Sequence, residues 1–189
     1  MKRTTIYLFI LLSVFAAIPN AIAQEEGITE KRLILSARVR IIPQGLEMSF
    51  EHAVSQKFSL RTSLGYDFRQ KGDYTYNNEE VVMSMLSNSR VYPYGFTVGP
   101  YLKLKYSNYN YSYPDTEAML DAYTRLYFFG AGVATEYRQK IGSRFMVSPF
   151  VRFGVNRVLI RKEYGPAEPF FTDSFETDMC LGAAVSFVF

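Results

Sequence analysis

The chain has 189 residues, of which 48% are hydrophobic and 16% aromatic, and its formal net charge is +3. Lys2 and Arg3 lie in a segment that we expect to be removed, which leaves 19 basic and 18 acidic side chains, a net charge of +1. So small an excess argues against nucleic acid as a partner, because phosphate binding needs concentrated positive charge. With a single cysteine and a single histidine, the sequence predicts no internal disulfide, zinc site or cofactor.

The N-terminus has the order of residues found in a secretory signal peptide. Lys2 and Arg3 precede an apolar run at 6–18, and a small-x-small segment at 21–23 follows. This order predicts cleavage before Gln24, with no cysteine there to carry a lipid. A membrane anchor is the alternative, but the run is shorter than the roughly 20 residues of a spanning helix. The predicted segments are a signal peptide 1–23, a periplasmic lead-in 24–32 and a single domain 33–189.

Apolar and polar side chains alternate in eight segments of that domain. Alternation at period two is typical of a strand with one apolar and one polar face. The predicted strands are 33–42, 45–54, 58–69, 81–91, 96–106, 123–138, 144–159 and 175–189. Past the leader no apolar segment is long enough for a membrane helix, so the chain can cross a bilayer only as a closed sheet.

The second and third segments also predict their own pairing. A short turn centred on Gln56 places Phe50 beside Thr62 on one face and Glu51 beside Arg61 on the other. Cross-strand neighbours of matching chemistry stabilise a hairpin. The agreement of both faces therefore predicts this register.

The predicted connections alternate in length. They are short at 55–57, 92–95 and 139–143, and long at 70–80, 107–122 and 160–174, with room for a helical turn at 116–121. Outer-membrane barrels have this asymmetry, with short periplasmic turns and longer outer loops. The first connection, at Pro43 and Gln44, departs from it, because it is short where a long loop is expected.

The polar faces carry charges of both signs. The interior of an eight-stranded barrel is only wide enough for its own side chains. These charges therefore predict a packed ion-pair network and no open channel. The residues assigned to the network are Arg38, Arg40, Glu47, Glu51, Arg61, Asp67, Lys103, Glu136, Arg152 and Asp178.

The segment GLEMSFEHAVSQKFSLRTSLGYDF and the ending AAVSFVF resemble the small eight-stranded outer-membrane barrels related to the OmpA transmembrane domain, particularly single-domain forms of Bacteroidetes-like bacteria. The resemblance covers essentially all of the mature chain. It implies an all-β, eight-stranded antiparallel transmembrane β-barrel, monomeric, surrounded by outer-membrane lipid in a Gram-negative envelope. The terminal strand resembles a sorting signal that the barrel-assembly machinery reads, and this assigns an assembly role to Phe187 and Phe189.

The first functional hypothesis is a non-enzymatic barrel that contributes to envelope structure or to surface contact through Tyr- and Asn-rich outer loops, with the ligand unknown. Three alternatives remain. One is a narrow ion pore, one is a lipid-modifying envelope enzyme, and one is a soluble, lipocalin-type barrel whose apolar face holds a ligand.

The enzyme alternative depends on His52, which lies in sequence beside Glu51 and near Ser49 and Ser55. Consecutive strand residues point to opposite faces, so Glu51 and His52 are not expected to address one site. Cys180 is predicted to face inward and to be unreactive.

Overall fold

The computed structural model describes residues 33–55, 57–71, 74–88, 94–112, 121–164 and 174–189. The predicted signal peptide 1–23 and lead-in 24–32 lie outside the described residues, as does the helical turn considered at 116–121, except for Asp121, which begins a strand. In the part of the chain that the structure describes, no helix has the length and apolar character needed to cross a bilayer.

Eight antiparallel strands form one closed barrel in sequence order, with the last strand paired to the first. They are β1 Leu33–Ile42, β2 Gly45–Ala53, β3 Phe58–Lys71, β4 Tyr74–Asn88, β5 Gly95–Ser112, β6 Asp121–Ile141, β7 Phe145–Tyr164 and β8 Phe175–Val188. The predicted fold class, an all-β eight-stranded antiparallel barrel, is confirmed.

Polar side chains point into the barrel and apolar side chains point out of it. In β1, Arg38 and Arg40 are 3% and 2% exposed, whereas Val39 and Ile41 are 56% and 59% exposed. This orientation contradicts the lipocalin-type alternative, in which the apolar face would line the interior.

The pairing of β2 with β3 is the one that the sequence predicts. Phe50 lies opposite Thr62, and Glu51 lies opposite Arg61. The short first connection is also present, as a turn at 43–44 between β1 and β2. Both features are local, so the sequence is sufficient to predict them.

The predicted long connections are wrong in their extent. The segment 70–80 is mostly strand, because β3 continues to Lys71 and β4 begins at Tyr74. In the same way β5 continues to Ser112 and β7 to Tyr164. At this end of the barrel polar residues occupy both faces of the strands, so apolar and polar side chains no longer alternate although backbone pairing continues.

Pro100 in β5 lies where the sheet ladder is interrupted. The paired residues of β4 and β5 that flank the interruption are Ser84 with Tyr101 and Ser87 with Val98. Proline removes one ladder donor, so it is accommodated at such a break.

The strands differ in length, and the two that form the β1–β2 hairpin are the shortest. β1 and β2 have 10 and 9 residues, against 18, 21 and 20 for β5, β6 and β7. β1 pairs with β8 as far as Ile42 opposite Leu181, although β8 begins at Phe175. Within the described residues, the segment 175–180 of β8 therefore has a paired strand on its β7 side alone.

The other side of the hairpin repeats this arrangement. β2 pairs with β3 as far as Leu46 opposite Tyr66, whereas β3 continues to Lys71 and pairs there with β4. We call the opening that the described residues leave between the segments 175–180 and 67–71, beyond the hairpin tip at 42–44, the wall gap. The barrel end that contains the wall gap is the mouth, and the opposite end, where β1 begins and β8 ends, is the terminal end.

Candidate functional site

Ion pairs fill the interior of the barrel. Among the described residues, seven basic and seven acidic inward side chains contact one another at ion-pair distance. They include all ten residues that the sequence assigned to the network. The four others are Glu80, Lys105, Arg138 and Glu176. The balance of signs means that these pairs leave no net charge among themselves.

One cluster, nearer the terminal end, is organised around two carboxylates. Arg61 lies between them, with Nη1 2.6 Å from Oε2 of Glu136 and Nη2 2.6 Å from Oε2 of Glu51. Arg38 Nη1 is 3.0 Å from Glu136 Oε2, and Arg138 Nη2 is 2.7 Å from Glu51 Oε2. Each buried carboxylate thus contacts guanidinium groups from more than one strand, which offsets its desolvation. We call this set the terminal cluster.

A small apolar cluster lies beyond the terminal cluster, at the terminal end of the barrel. Ile34, Ala53 and Met146 are buried against one another, and Tyr94 and Val188 pack on them. These side chains occupy part of the terminal end of the described interior.

A second cluster, nearer the mouth, is organised around Glu80. Arg40 Nη1 lies 2.5 Å, and Arg152 Nη2 2.8 Å, from Glu80 Oε1, while Lys103 Nζ lies 3.6 Å from Oε2. Lys103 Nζ also lies 2.6 Å from Oδ1 of Asp178, and Arg40 also pairs with Asp67. We call this set the mouth cluster.

Glu47 joins the two clusters. Its Oε1 is 3.1 Å from Nε of Arg38, and its Oε2 is 3.0 Å from Nη2 of Arg152. The terminal cluster and the mouth cluster are consequently connected to each other by ion pairs.

Some members of the network were missing from the sequence-based assignment for identifiable reasons. Glu80 fell at the end of a predicted loop, so its direction was not assigned. Arg138 comes two residues after Glu136 on the same strand, so both side chains face inward. The alternation alone could therefore have assigned Arg138 to the network. Tyr101 shares the inward parity of Lys103, and its hydroxyl donates a hydrogen bond of 2.5 Å to Asp178 Oδ2.

A cavity of about 320 Å³ lies at the mouth. Its walls include the charged side chains of the mouth cluster and the pair formed by Lys105 and Glu176. The ammonium of Lys105 lies 2.5 Å from Glu176 Oε1, and their side chains are 10% and 28% exposed, against 1% to 9% in the mouth cluster. This pair is therefore the part of the network most open to an incoming molecule. We call this space the mouth cavity.

The outer surface carries an apolar belt. On β5 the outward residues from Phe96 to Tyr106 are uncharged, and the next outward residue is Asn108. Beyond the belt, the outward row is polar across four strands, with Asn77, Asn108, Arg125 and Lys162 paired in sequence. Tyrosine pairs mark this border, such as Tyr106 with Tyr127 at 5.0 Å between ring centroids.

Phe187 and Phe189 lie at the border of the belt at the terminal end. Their ring centroids are 4.7 Å apart, and Phe145 packs on Phe187 at 5.2 Å. The Phe189 amide donates a hydrogen bond of 2.9 Å to the Leu33 carbonyl, which fixes the chain end against β1. Their assembly role stays a prediction.

The structure separates the residues of the enzyme alternative. Glu51 and Ser49 are inward and 1% and 2% exposed, while His52 is half-buried on the opposite face of β2. Cys180 faces inward, 1% exposed, and Arg152 Nη2 donates to its Sγ at 3.4 Å. Within the described residues, no group of three or more His, Cys, Asp or Glu side chains is placed to hold a metal ion.

No family model matches the chain, and no curated protein matches it. Among solved structures, it is similar to a major outer membrane protein from Thermus thermophilus, with 12% identity and a TM-score of 0.53 over 85% of this chain and 100% of that one. It is also similar to the N-terminal β-barrel domain of Pseudomonas aeruginosa OprF, with 11% identity and a TM-score of 0.42 over 84% and 96% of the two chains.

A third similar structure is Neisserial surface protein A, with 9% identity and a TM-score of 0.44 over 83% of this chain and 93% of that one. At these identities the comparison concerns the fold alone. The similarity to the Thermus thermophilus protein, which has the TM-score above 0.5, shows that the chain shares the fold of that outer membrane protein.

Proposed function

We propose that the protein is a non-enzymatic β-barrel of the bacterial outer membrane. The observation that carries the proposal is the orientation of the wall, with ion pairs inside and a predominantly apolar belt outside, where Glu79 and Arg157 are also exposed. Hydrocarbon solvates no charge and no unpaired backbone group, so a spanning sheet must be closed and must turn its charges inward.

The dimensions of the belt support this placement. The outward-apolar run from Phe96 to Tyr106 has eleven residues, and a spanning strand needs about 9 to 11. At a rise of about 3.3 Å per residue and a tilt of about 40°, it spans about 28 Å along the barrel axis. The apolar band of an outer-membrane barrel is about 25 Å tall.

The contribution to the envelope that fits this interior is structural. A lumen that contains the two charge clusters, with Ile34, Ala53 and Met146 packed together at its terminal end, favours a closed barrel over the narrow pore. Surface contact would involve the outer face of the sheet that projects beyond the belt, where Tyr123 stacks on Tyr164 at 5.4 Å. Tyrosine supplies rigid amphipathic contact area.

The experiment that tests the proposal is refolding of residues 24–189 from urea into detergent and into liposomes. We expect a β circular dichroism spectrum, gel mobility that differs between unboiled and boiled samples, and flotation with liposomes after an alkaline carbonate wash. A chain that stays folded and monomeric without detergent and does not float would overturn the proposal. Planar-bilayer recordings on the same sample are expected to show no steady conductance, and a stable open level would favour the pore.

A further inference from the structure

The wall gap lies beside apolar, outward-facing surface on both of its edges. On the β8 edge Phe175 and Met179 are 61% and 50% exposed, and on the β3 edge Tyr66 and Phe68 are 49% and 58% exposed. The lipid-facing surface therefore continues past the tip of the β1–β2 hairpin on each side. In a membrane, this opening faces the outer leaflet and not only water.

The mouth cavity opens onto the wall gap. Ile42 and Pro43 at the hairpin tip bound the cavity, and so do Thr177 and Met179 on the β8 edge. Behind them are the buried charges of the mouth cluster. The gap thus joins a charged chamber to the apolar surface of the barrel, and this is the arrangement that an amphipathic molecule fits.

Hydrocarbon chains of the bilayer would be an unfavourable occupant of the wall gap. Edge backbone groups of the segments 175–180 and 67–71 would lose their hydrogen-bonding partners in an apolar medium, and charges beside them would be desolvated. A polar head group that occupies the cavity and the gap supplies partners to both, and its chains then lie along the outward apolar side chains that border the gap.

The charges at the mouth specify the kind of head group. Lys105 and Glu176 are the least buried members of the network, with 2.5 Å between Nζ and Oε1. Asn156 Nδ2 donates to the same Glu176 oxygen at 2.7 Å, which holds the carboxylate in place. A head group with a phosphate and an amine matches this pair, because the phosphate accepts from Lys105 and the amine donates to Glu176.

We propose that the wall gap and the mouth cavity together form a binding site for a lipid with a zwitterionic, phosphate-and-amine head group. The head lies against Lys105 and Glu176, and the chains lie along the outward side chains of Ile42 and Met179 at the border of the gap. This inference rests on the proposed outer-membrane placement.

The first test measures saturable binding of short-chain phosphatidylethanolamine to the refolded barrel in a non-ionic detergent, by native mass spectrometry. We expect Lys105→Met and Glu176→Gln each to weaken binding about tenfold, the loss of one charge-assisted hydrogen bond. Lys140→Met is the control, since Lys140 is exposed at the terminal end, and it is expected to bind as the parent does. The heat-dependent mobility shift checks that each variant is folded.

Three results of that test would overturn the proposal. They are the absence of saturable binding, equal binding by the two variants and the parent, and equal affinity for free phosphoethanolamine, which would make the site one for a soluble zwitterion. If Lys105→Met does not fold, Glu176→Gln still decides, because its side chain is 28% exposed and the change keeps its shape.

A second test locates the chains. The protein contains no tryptophan, so a single introduced tryptophan is the sole source of tryptophan fluorescence. In liposomes with brominated acyl chains, we expect fluorescence quenching at Ile42→Trp to equal that at Leu102→Trp in the belt. An unquenched Ile42→Trp overturns the proposal, and cross-linking then shows whether a second copy or the same chain covers the gap. An unquenched Leu102→Trp shows instead that the barrel is not inserted, so the two failures are distinguishable.

Discussion

Glu47 on β2 and Arg152 on β7 contact each other inside the barrel, with 3.0 Å between Oε2 and Nη2. Glu47 also contacts Arg38, so this one carboxylate links the terminal cluster to the mouth cluster. Because the linked residues come from strands that are distant in sequence, the interior charges stabilise the closed barrel as a unit.

Glu136 is the carboxylate of the terminal cluster with the most arginine partners, namely Arg38, Arg61 and Arg138. We expect Glu136→Gln to lower the free energy of unfolding by about 3 kcal/mol, because it leaves buried guanidinium charge uncompensated. Urea unfolding in lipid vesicles measures it. Glu79→Gln, at an exposed outward position, is the control and should change stability by less than about 0.5 kcal/mol. Equal effects of the two substitutions would contradict a stabilising network.

The Tyr101 hydroxyl donates to Asp178 in the lumen. Tyr101→Phe keeps the ring and removes the donor, so we expect a loss of about 1 to 3 kcal/mol in the free energy of unfolding. Tyr137→Phe, with a ring that is outward and 51% exposed, should be nearly neutral in the same unfolding assay. A neutral Tyr101→Phe would show that this hydrogen bond does not stabilise the barrel.

Leu102 and Asn108 face outward from the same strand, one inside the apolar belt and one beyond it. We expect Leu102→Arg to destabilise the barrel in lipid vesicles by about 2 to 4 kcal/mol, since the charge lies near the bilayer midplane. Asn108→Arg should cost no more than about 1 kcal/mol, because the side chain reaches the polar interface. If the two substitutions destabilise the barrel equally, the apolar belt is not the membrane-spanning region.

Cys180 is the single cysteine and is 1% exposed inside the lumen. We expect maleimide to label it only when the barrel unfolds, so the labelling rate should follow the urea transition. The control is Ser174→Cys in a Cys180→Ser background, since Ser174 is exposed at the mouth, and it should be labelled quickly in the folded protein. Rapid labelling of Cys180 without urea would mean that the lumen is open to small solutes.

The sequence by itself determined the number of strands, the residues that share a face and the register of the β2–β3 hairpin. These are local properties, because alternation at period two and matching neighbours such as Glu51 and Arg61 are contained in short stretches of chain. Only the tertiary structure decided which face turns inward, since closure of the sheet and not periodicity selects the concave side.

The tertiary structure also decided where β4 begins and where the wall gap lies. Tyr74 to Glu80 lacks alternation because polar residues occur on both of its faces, yet its backbone pairs with β3 and β5. The wall gap depends on the pairing of β1 with β8, whose residues are separated by nearly the whole chain. The local sequence pattern does not show how far β1 and β8 remain paired.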